Sequence, residues 1–293
     1  MKLIQQSADI WKQPKGKIGI YKQVERAARL CYMSTDKITE DSYKRFINML
    51  STKGHNSPLE HGTVYLAFDE PRSARKSFEV QKYIKNPYSR VSEDVYDRDD
   101  YRPGERQYST AYVTTNYRVL IENGWLDDLK YKCEPTEYHE KRISVHTVTS
   151  IGVSRELNRH RVNSIAEQST RYCNYSKDKF GNEITFIIPN WVNTKSPNTN
   201  QEGPSIADME WSTAMLNAEA SYMNLLKMGW KPEQARSVLP LDTKTELVHT
   251  AFLSDWMHFF NLRTSPAAHP MMRDLANKIK QEFIKNNIIE NGE

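Results

Sequence analysis

One segment of the sequence concentrates side chains that could bind phosphate. Residues 155–172, RELNRHRVNSIAEQSTRY, contain four arginines, a histidine, two glutamates, two serines and a glutamine. The guanidinium fork matches the geometry of a phosphate group, and the hydroxyls of Ser164 and Ser169 could add further donors. The segment is therefore a candidate binding site for an anionic ligand.

The spacing of the arginines limits how they can act together. On an α-helix Arg155 and Arg159 share a face, whereas Arg159 and Arg161 point about 200° apart. A regular helix therefore cannot direct all of them to one anion. Either the helix ends near His160, or the segment lies between two anionic ligands or two subunits.

Two other interpretations also fit residues 155–172. Charged stretches are usually solvated, so the segment also fits a surface helix braced by ion pairs with Glu156 and Glu167. Arginines with nearby tyrosines also fit an RNA- or DNA-binding module, whose affinity would depend strongly on salt concentration. The sequence contains no RRM, KH or helix-turn-helix signature that favours such a module.

The composition argues against partners that require a large charge or a long apolar segment. The 293 residues carry 41 Lys+Arg and 37 Asp+Glu, a formal net charge of +4, with both signs interspersed. Proteins dedicated to nucleic acid usually concentrate their basic residues in a patch or an arm. The sequence has no apolar run long enough to span a bilayer, and its first residues lack the apolar core of a signal peptide. We therefore expect a cytoplasmic chain that binds neither nucleic acid nor membrane.

The cysteines do not indicate a disulfide framework or a metal site. Cys31, Cys133 and Cys173 are widely spaced and odd in number. The sequence has no CxxC, no HExxH and no cluster of Cys and His, so no metal is expected. We interpret the three cysteines as structural, with Cys173 in a packing role.

Several short motifs occur in an order that resembles one enzyme family. RHR at 159–161 is followed, after seven residues, by STRY at 169–172, which resembles the signature of flavin-dependent thymidylate synthases. Four other segments resemble further motifs of that family: KQVERAARLCY at 22–32, HNSPLEH at 55–61, ARSVLPL at 235–241 and NLR at 261–263. The ordered set spans nearly the whole chain, which makes it far more specific than RHR alone.

The resemblance implies a reaction, a set of cofactors and an assembly. Members of the family methylate dUMP to dTMP, with 5,10-methylenetetrahydrofolate as carbon donor, FAD as redox carrier and NADPH as reductant. They are homotetramers whose active sites are built from more than one subunit. A catalytically idle relative that keeps FAD for structure or sensing is the alternative within the family. Loss of Arg236 or Arg263 would favour that alternative, and both are present.

The resemblance also implies roles for individual residues. The residues implied to contact FAD are Ser57, Arg159, His160, Arg161, Glu167 and His258. Those implied to hold dUMP are Glu156, Arg159, Glu167, Gln168, Ser169, Thr170, Arg171, Arg236 and Arg263. Arg263 is the implied catalytic residue, since it matches the arginine that polarises the uracil ring and favours loss of its N3 proton.

The reaction explains why an arginine is needed and a cysteine is not. Uracil C5 must become nucleophilic before it accepts a one-carbon unit, and a cation at the pyrimidine carbonyl stabilises the negative charge that develops there. Stacking the flavin on the uracil supplies proximity, so no protein nucleophile is required. The flavin-free thymidylate synthase needs a cysteine in a Pro-Cys-His setting, which none of the three cysteines has.

The sequence departs from the family pattern in three places. His258 stands where some members have an asparagine that contacts FAD, so its role there is an expectation only. Residues 252–254 do not match the more polar residues that some members use near the adenine of FAD. The segment at about 69–140 is longer than in the shortest members, and we interpret it as a family-variable insertion within one domain of 1–293.

The periodicity of the sequence predicts a mixture of helices and strands. Helices are predicted at 22–32, 38–50, 116–123, 207–228, 232–239, 254–262 and 270–284, the sixth of them capped by Ser254 and Asp255. Strands are predicted at 63–68, 142–148, 184–189 and 245–252, and polar loops at 86–108 and 190–204. Trp230 and Trp256 are expected in the core. The order of elements lacks a βαβ rhythm and a GxGxxG motif, so an α+β fold is predicted rather than a dinucleotide-binding Rossmann domain. With the family resemblance, the prediction is a single compact domain in which helices flank a central, mostly antiparallel sheet, assembling as a homotetramer.

Overall fold

Most strands belong to two antiparallel sheets in a computed structural model that describes residues 1–71, 78–93, 108–194 and 203–290. In chain order the strands are β1 (Lys2–Ile4), β2 (Ser7–Trp11), β3 (Thr63–Pro71), β4 (Arg90–Glu93), β5 (Tyr108–Asn116), β6 (Arg142–Ser150), β7 (Ser164–Glu167), β8 (Thr185–Ile187) and β9 (Lys244–Phe252). The larger sheet has the order β2-β6-β9-β7 and the smaller one β3-β5-β4, and both are antiparallel. Strands β1 and β8 form a short parallel pair.

The helices pack on the sheets and on one another. They are α1 (Gly16–Cys31), α2 (Ser42–Thr52), α3 (Phe78–Ile84), α4 (Tyr117–Glu122), α5 (Ile151–Leu157), α6 (Ile206–Lys227), α7 (Pro232–Ala235), α8 (Leu253–Arg263) and α9 (Pro270–Lys285). Single 3₁₀ turns occur between them, one of which is Ser57–His61. Within the described ranges, every helix is too short or too polar to cross a bilayer.

Local chemistry fixes where several helices begin. Asn116 and Ser150 cap α4 and α5, because each side chain accepts a hydrogen bond from the backbone N–H three residues later. Ser205 and Asp208 form a capping box at the start of α6. Gly19 lets α1 approach the preceding chain, since a Cβ there would lie 1.7 Å from the carbonyl oxygen of Pro14.

Two apolar cores stabilise the two sheets. One core lies between the β6–β9 strand pair and helices α5, α8 and α9, and its largest fully buried side chains are Trp256, Phe259, Phe260 and Phe283. The other packs α1 and α2 against the smaller sheet. The first core positions two of the candidate residues, because Glu156 lies on α5 and Arg263 ends α8.

The structure confirms the main predictions of the fold. The class is α+β in one compact domain, with mostly antiparallel strands flanked by helices, although the strands divide between two antiparallel sheets and the short parallel pair β1–β8. The strands predicted at 63–68, 142–148 and 245–252 are present as β3, β6 and β9. The helices predicted at 116–123, 207–228 and 270–284 correspond to α4, α6 and α9, and Trp256 is fully buried.

Other predictions are wrong. The loop predicted at 86–108 contains β4, which pairs with β5. Residues 94–107 lie outside the described residues. The first helix begins at Gly16 rather than residue 22. Helix α8 begins at Leu253 without a side-chain cap, because the hydroxyl of Ser254 donates to Glu140 instead. The side chain of Trp230 is exposed, since it follows the end of α6 rather than packing beneath it.

Candidate active site

A pair of antiparallel strands determines how the arginine-rich segment meets α8. Strands β6 and β9 pair along nine residues, from Arg142 opposite Phe252 to Ser150 opposite Lys244. Helix α5 follows β6 directly and α8 follows β9 directly, so the two helices start from opposite ends of the pair. Both pack on the same core, and their C-terminal ends meet over the sheet.

The arginine-rich segment is not one helix. Helix α5 ends at Leu157, a turn follows, and residues Ser164–Glu167 form the edge strand β7. This agrees with the expectation that the helix ends near His160. The interpretation of a surface helix braced by internal ion pairs is wrong, because Glu156 pairs with Arg263 of α8 and Glu167 accepts from Asn158 and Thr245.

Arg263 is held at the meeting point of the two helices. Its Nη1 donates to Glu156 Oε2 at 2.9 Å, its Nη2 to the Glu156 carbonyl at 3.2 Å, and its Nε to His160 Nε2 at 3.1 Å. The Glu156 carbonyl belongs to the last turn of α5, whose negative dipole end favours a cation. Three of the five guanidinium N–H groups are thus engaged, and two remain for a ligand.

His160 is a neutral imidazole that orients Arg263. Burial, together with the nearby Arg263 and His258, lowers the pKa of His160 to about 4. Because Nε2 accepts a hydrogen bond from Arg263, the ring proton is assigned to Nδ1. The ring also packs edge-on against Phe259, with a centroid distance of 5.0 Å. His160 therefore holds the guanidinium without adding a charge.

A cleft of about 760 Å³ opens beside Arg263. It is lined by Glu156, Arg159, His160, Arg161, Val162, Asn163, Asp255, His258, Leu262 and Arg263. The side chains of Arg159 and Arg161 are exposed and make no hydrogen bond or ion pair with any described residue. The cleft thus combines two uncommitted cations with one fixed arginine, which suits a large anionic ligand.

Two buried oxygen atoms in the wall of the cleft lack hydrogen-bond partners. Asn163 Oδ1 and Asp255 Oδ2 are inaccessible to solvent and accept no hydrogen bond from the described residues. Burial raises the pKa of Asp255, although Arg90 Nη2 lies 4.0 Å from its carboxylate. Buried acceptors without donors are costly, so both atoms favour a ligand that brings hydroxyl or N–H groups.

Comparison with known proteins identifies the family. Residues 19–79 and 135–286 match the model of the family described as "Thymidylate synthase complementing protein". The chain belongs to this family. The match includes the arginine-rich segment, α8 and the turn at 55–61, which are three of the regions from which the sequence resemblance was drawn.

Individual relatives of the thymidylate synthase complementing family share about three residues in ten with this chain. A flavin-dependent thymidylate synthase of Thermococcus onnurineus is 31% identical over 156 residues, which is 51% of this chain and 59% of that protein. One of Pyrococcus furiosus is 30% identical over 189 residues, 62% of this chain and 72% of that protein. With the Thermococcus kodakarensis and Pyrococcus abyssi enzymes included, the chain spans between 50% and 72% of these relatives' length.

Among solved structures, a UMP/dUMP methylase, PolB from Streptomyces cacaoi, bound with 5-Br dUMP, is 18% identical to this chain. The match covers 97% of this chain and 93% of that one, with a TM-score of 0.43. At this score the likeness supports no inference about the ligand of this chain.

The cleft of this family member gathers six of the residues singled out in the sequence. They are Glu156, Arg159, His160, Arg161, His258 and Arg263. Within the described ranges, no group of three or more His, Cys, Asp or Glu side chains is arranged to hold a metal ion. The cleft therefore brings three arginines, two histidines and a glutamate together in one place.

The remaining candidates lie outside the lining of this cleft. Arg236 Nη1 donates to Thr170 Oγ1 at 3.0 Å, and Arg171 Nη2 donates to the Tyr172 hydroxyl at 2.8 Å. We call the group of Thr170, Arg171 and Arg236 the Arg236 patch. The carboxylate of Glu167 accepts from Asn158 Nδ2 at 3.2 Å and from Thr245 Oγ1 at 3.1 Å.

Three more candidates differ in exposure and contacts. Gln168 is buried, and its backbone N–H donates to the Glu246 carbonyl at 2.8 Å. Ser169 donates its backbone N–H to the Cys31 carbonyl at 2.9 Å. Ser57 is exposed at the start of the 3₁₀ turn Ser57–His61. None of them lines the cleft of the single chain.

Two polar residues of the cleft, Asn163 and Asp255, are not among the candidates predicted from the sequence. Asp255 is predicted as a helix cap, yet it lines the cleft from the first turn of α8. Its spacing could have revealed this, since positions 255, 258 and 262 follow the i, i+3, i+7 pattern of one helix face. The family resemblance makes His258 a candidate, and Asp255 lies three residues before it on the same helix face. This spacing is the signal that could have identified Asp255.

Proposed function

We propose that the protein catalyses the reductive methylation of dUMP to dTMP. In this reaction 5,10-methylenetetrahydrofolate donates the carbon, FAD carries the reducing equivalents and NADPH supplies them. The observation that carries the proposal is the cleft in which Arg263 is fixed by Glu156 and His160 beside the uncommitted Arg159 and Arg161. Membership of the family and the activity for which its relatives are named support the same conclusion.

The residues of the cleft fit a flavin dinucleotide. Arg159 and Arg161 would bind its diphosphate, while the unpartnered oxygens of Asn163 and Asp255 would accept hydrogen bonds from its hydroxyl or N–H groups. His258, on the same face of α8 as Asp255, would add another contact. When bound, the flavin supplies the transfer of reducing equivalents, for which the protein side chains have no substitute.

Arg263 would act on the uracil ring. Its two remaining N–H groups would face a pyrimidine carbonyl and stabilise the negative charge that develops as C5 becomes nucleophilic. Glu156 and His160 hold the guanidinium before the substrate arrives, so little reorganisation is needed at that step. The neutral state of His160 leaves the full positive charge on Arg263.

The Arg236 patch would complete the site from another subunit. In the proposed homotetramer, Arg236 and residues 167–171 of one subunit would bind dUMP beside the cleft of a second subunit. Two observations support this assembly. The patch does not line the cleft of its own chain, and α6 presents an exposed apolar stripe of Ile206, Met209 and Leu216. Because the opposite side of α6 already packs on the protein, the stripe is suited to a second copy of the chain.

The assembly can be tested on the apolar stripe of α6. We expect Leu216→Glu to lower the molar mass in light scattering from four times the 34.2 kDa chain mass to a smaller species, because a carboxylate would be buried in the interface. Ala214→Glu places the same charge on an exposed position of α6 outside the stripe and should leave the mass unchanged. Identical masses for wild type and Leu216→Glu would contradict the proposed interface.

The reaction is tested directly with purified protein. We expect a flavin absorption band after addition of FAD and removal of the excess. We also expect dTMP to form only when dUMP, methylenetetrahydrofolate and NADPH are all present. Omitting each component in turn is the control. A protein that neither retains FAD nor forms dTMP would refute the proposal, whereas retention of FAD without dTMP would favour the idle relative.

A further inference from the structure

A second cavity lies away from the cleft and shares no lining residue with it. Its volume is about 470 Å³, and it lies between the β2–α1 connection, the start of β3, the start of β6 and residues 132–135. Residues 80–134 are not matched by the family model, so Lys132, Cys133 and Glu134 add a wall that the family pattern does not include. We call this cavity the lysine pocket.

Positive charges surround the lysine pocket. Lys12, Lys15 and Lys141 line it and are exposed, and none of their ammonium groups makes a hydrogen bond or ion pair with a described residue. Lys132 also lines it, and its Nζ lies 3.1 Å from Glu134 Oε1. Three uncommitted ammonium groups at one cavity favour an anion over a neutral or cationic ligand.

The acidic side chain in this lining is already engaged. Glu134 Oε1 accepts from Lys132 and, at 3.1 Å, from the backbone N–H of Gly16 at the start of α1. These hydrogen bonds outweigh the effect of burial and lower the pKa of Glu134, so its carboxylate stays charged and paired. Lys15 also contributes to the lowering, so Glu134 offsets part of its charge, whereas Lys12 and Lys141 are not among the groups that act on this carboxylate.

The walls of the lysine pocket are largely apolar. Ile10, Tyr65, Pro135, Ile143 and Ile288 contribute to them, and the volume falls in the range of cavities that hold small organic molecules. A bare phosphate ion would use the lysines but leave these walls uncovered. A ligand with both an apolar body and an acidic group would use both features.

We propose that the lysine pocket is a second ligand site, which binds a small organic anion with an apolar body, such as an aromatic carboxylate or sulfonate. The apolar body contacts the isoleucine and tyrosine side chains, and the acidic group faces Lys12, Lys15 and Lys141. This site is independent of the proposed dUMP methylation, because it shares no residue with the cleft or with the Arg236 patch.

The probe for the test is 1-anilinonaphthalene-8-sulfonate, a fluorescent aromatic sulfonate of the proposed class. We expect it to bind the full-length protein saturably, with one high-affinity site per chain and with fluorescence enhancement. The triple variant Lys12→Gln/Lys15→Gln/Lys141→Gln should raise the dissociation constant about tenfold, because it removes the charges that attract the sulfonate. Added salt should weaken binding to the wild type more than to this variant.

Two further variants define the site. Lys37→Gln/Lys53→Gln/Lys227→Gln makes the same change of charge at exposed lysines outside the pocket and should bind the probe as the wild type does. Ile288→Trp fills the pocket and should abolish the high-affinity binding. Equal affinity in the wild type and the first triple variant would overturn the proposal. Displacement of the probe by FAD or dUMP would also overturn it, since that result would place the probe in the cleft.

Discussion

Replacing Arg263 with alanine should lower the rate of dTMP formation by about 10²- to 10³-fold, the usual cost of losing one preorganised group that stabilises developing charge. FAD should still bind with nearly wild-type affinity, because Arg159 and Arg161 are untouched. The loss should fall on kcat more than on KM for dUMP, since the proposed contact is strongest when charge develops on the uracil. Steady-state kinetics with a flavin titration measures both quantities.

Two variants separate the proposed chemistry of Arg263 from its structural contacts. Arg263→Lys keeps the charge but loses the fork that reaches Glu156 and His160 together, so we expect partial activity. Arg45→Ala removes an exposed arginine of α2 that does not line the cleft and should leave the rate unchanged. Full activity in Arg263→Ala would exclude the assigned role, and loss of FAD binding would indicate a structural role instead.

The second large effect that we expect is a fall in the free energy of unfolding in acid. Burial lowers the pKa of both His61 and His249 to about 3, and both side chains are fully buried. Between pH 6.5 and pH 3 the unfolded chain therefore binds more protons at these two positions, so the free energy of unfolding falls as the pH drops through this window. At pH 5 the loss relative to pH 7 is about 2 kcal/mol for each histidine, or about 4 kcal/mol for both.

His61 and His249 differ in their hydrogen bonds, so their contributions to the pH dependence can be tested separately. His61 Nδ1 bonds to Thr250 Oγ1 at 2.8 Å, whereas neither ring nitrogen of His249 has a partner among the described residues. His249 packs against Trp256 at a centroid distance of 4.7 Å, so phenylalanine should fit in its place. Urea unfolding of His249→Phe should show a loss between pH 7 and pH 5 that is smaller by about 2 kcal/mol than in the wild type. An unchanged pH dependence would mean that His249 keeps an ordinary pKa in the folded protein.

The angle between successive residues of an α-helix correctly limited the conformation of the arginine-rich segment. Because Arg159 and Arg161 cannot share a helical face, the sequence predicted either a helix that ends near His160 or a segment between two ligands or two subunits. The structure shows the first, since α5 ends at Leu157. The motif order likewise identified six residues that line one cleft. These results depend on local geometry and on residue types, both of which are present in the sequence.

What the sequence could not supply depends on contacts between distant parts of the chain. The pairing of Arg263 with Glu156 spans 107 residues and requires the β6–β9 register. Strand β4 was assigned to a loop because pairing with β5, rather than apolar alternation, makes it a strand. Trp230 is predicted in the core because most aromatic side chains are buried there, although its position after α6 leaves it exposed.

The β6–β9 strand pair also determines where the chain can change length without harm to the cleft. Each residue of an antiparallel strand advances the chain by about 3.4 Å, so removing two residues from each strand would bring the starts of α5 and α8 about 7 Å closer. That displacement is more than twice the 2.9 Å between Arg263 and Glu156. Residues added between β3 and β6, in contrast, leave this spacing unchanged. The protein can therefore acquire new surface in that connection, including the wall of the lysine pocket, while the distance between its two arginine-bearing helices stays fixed.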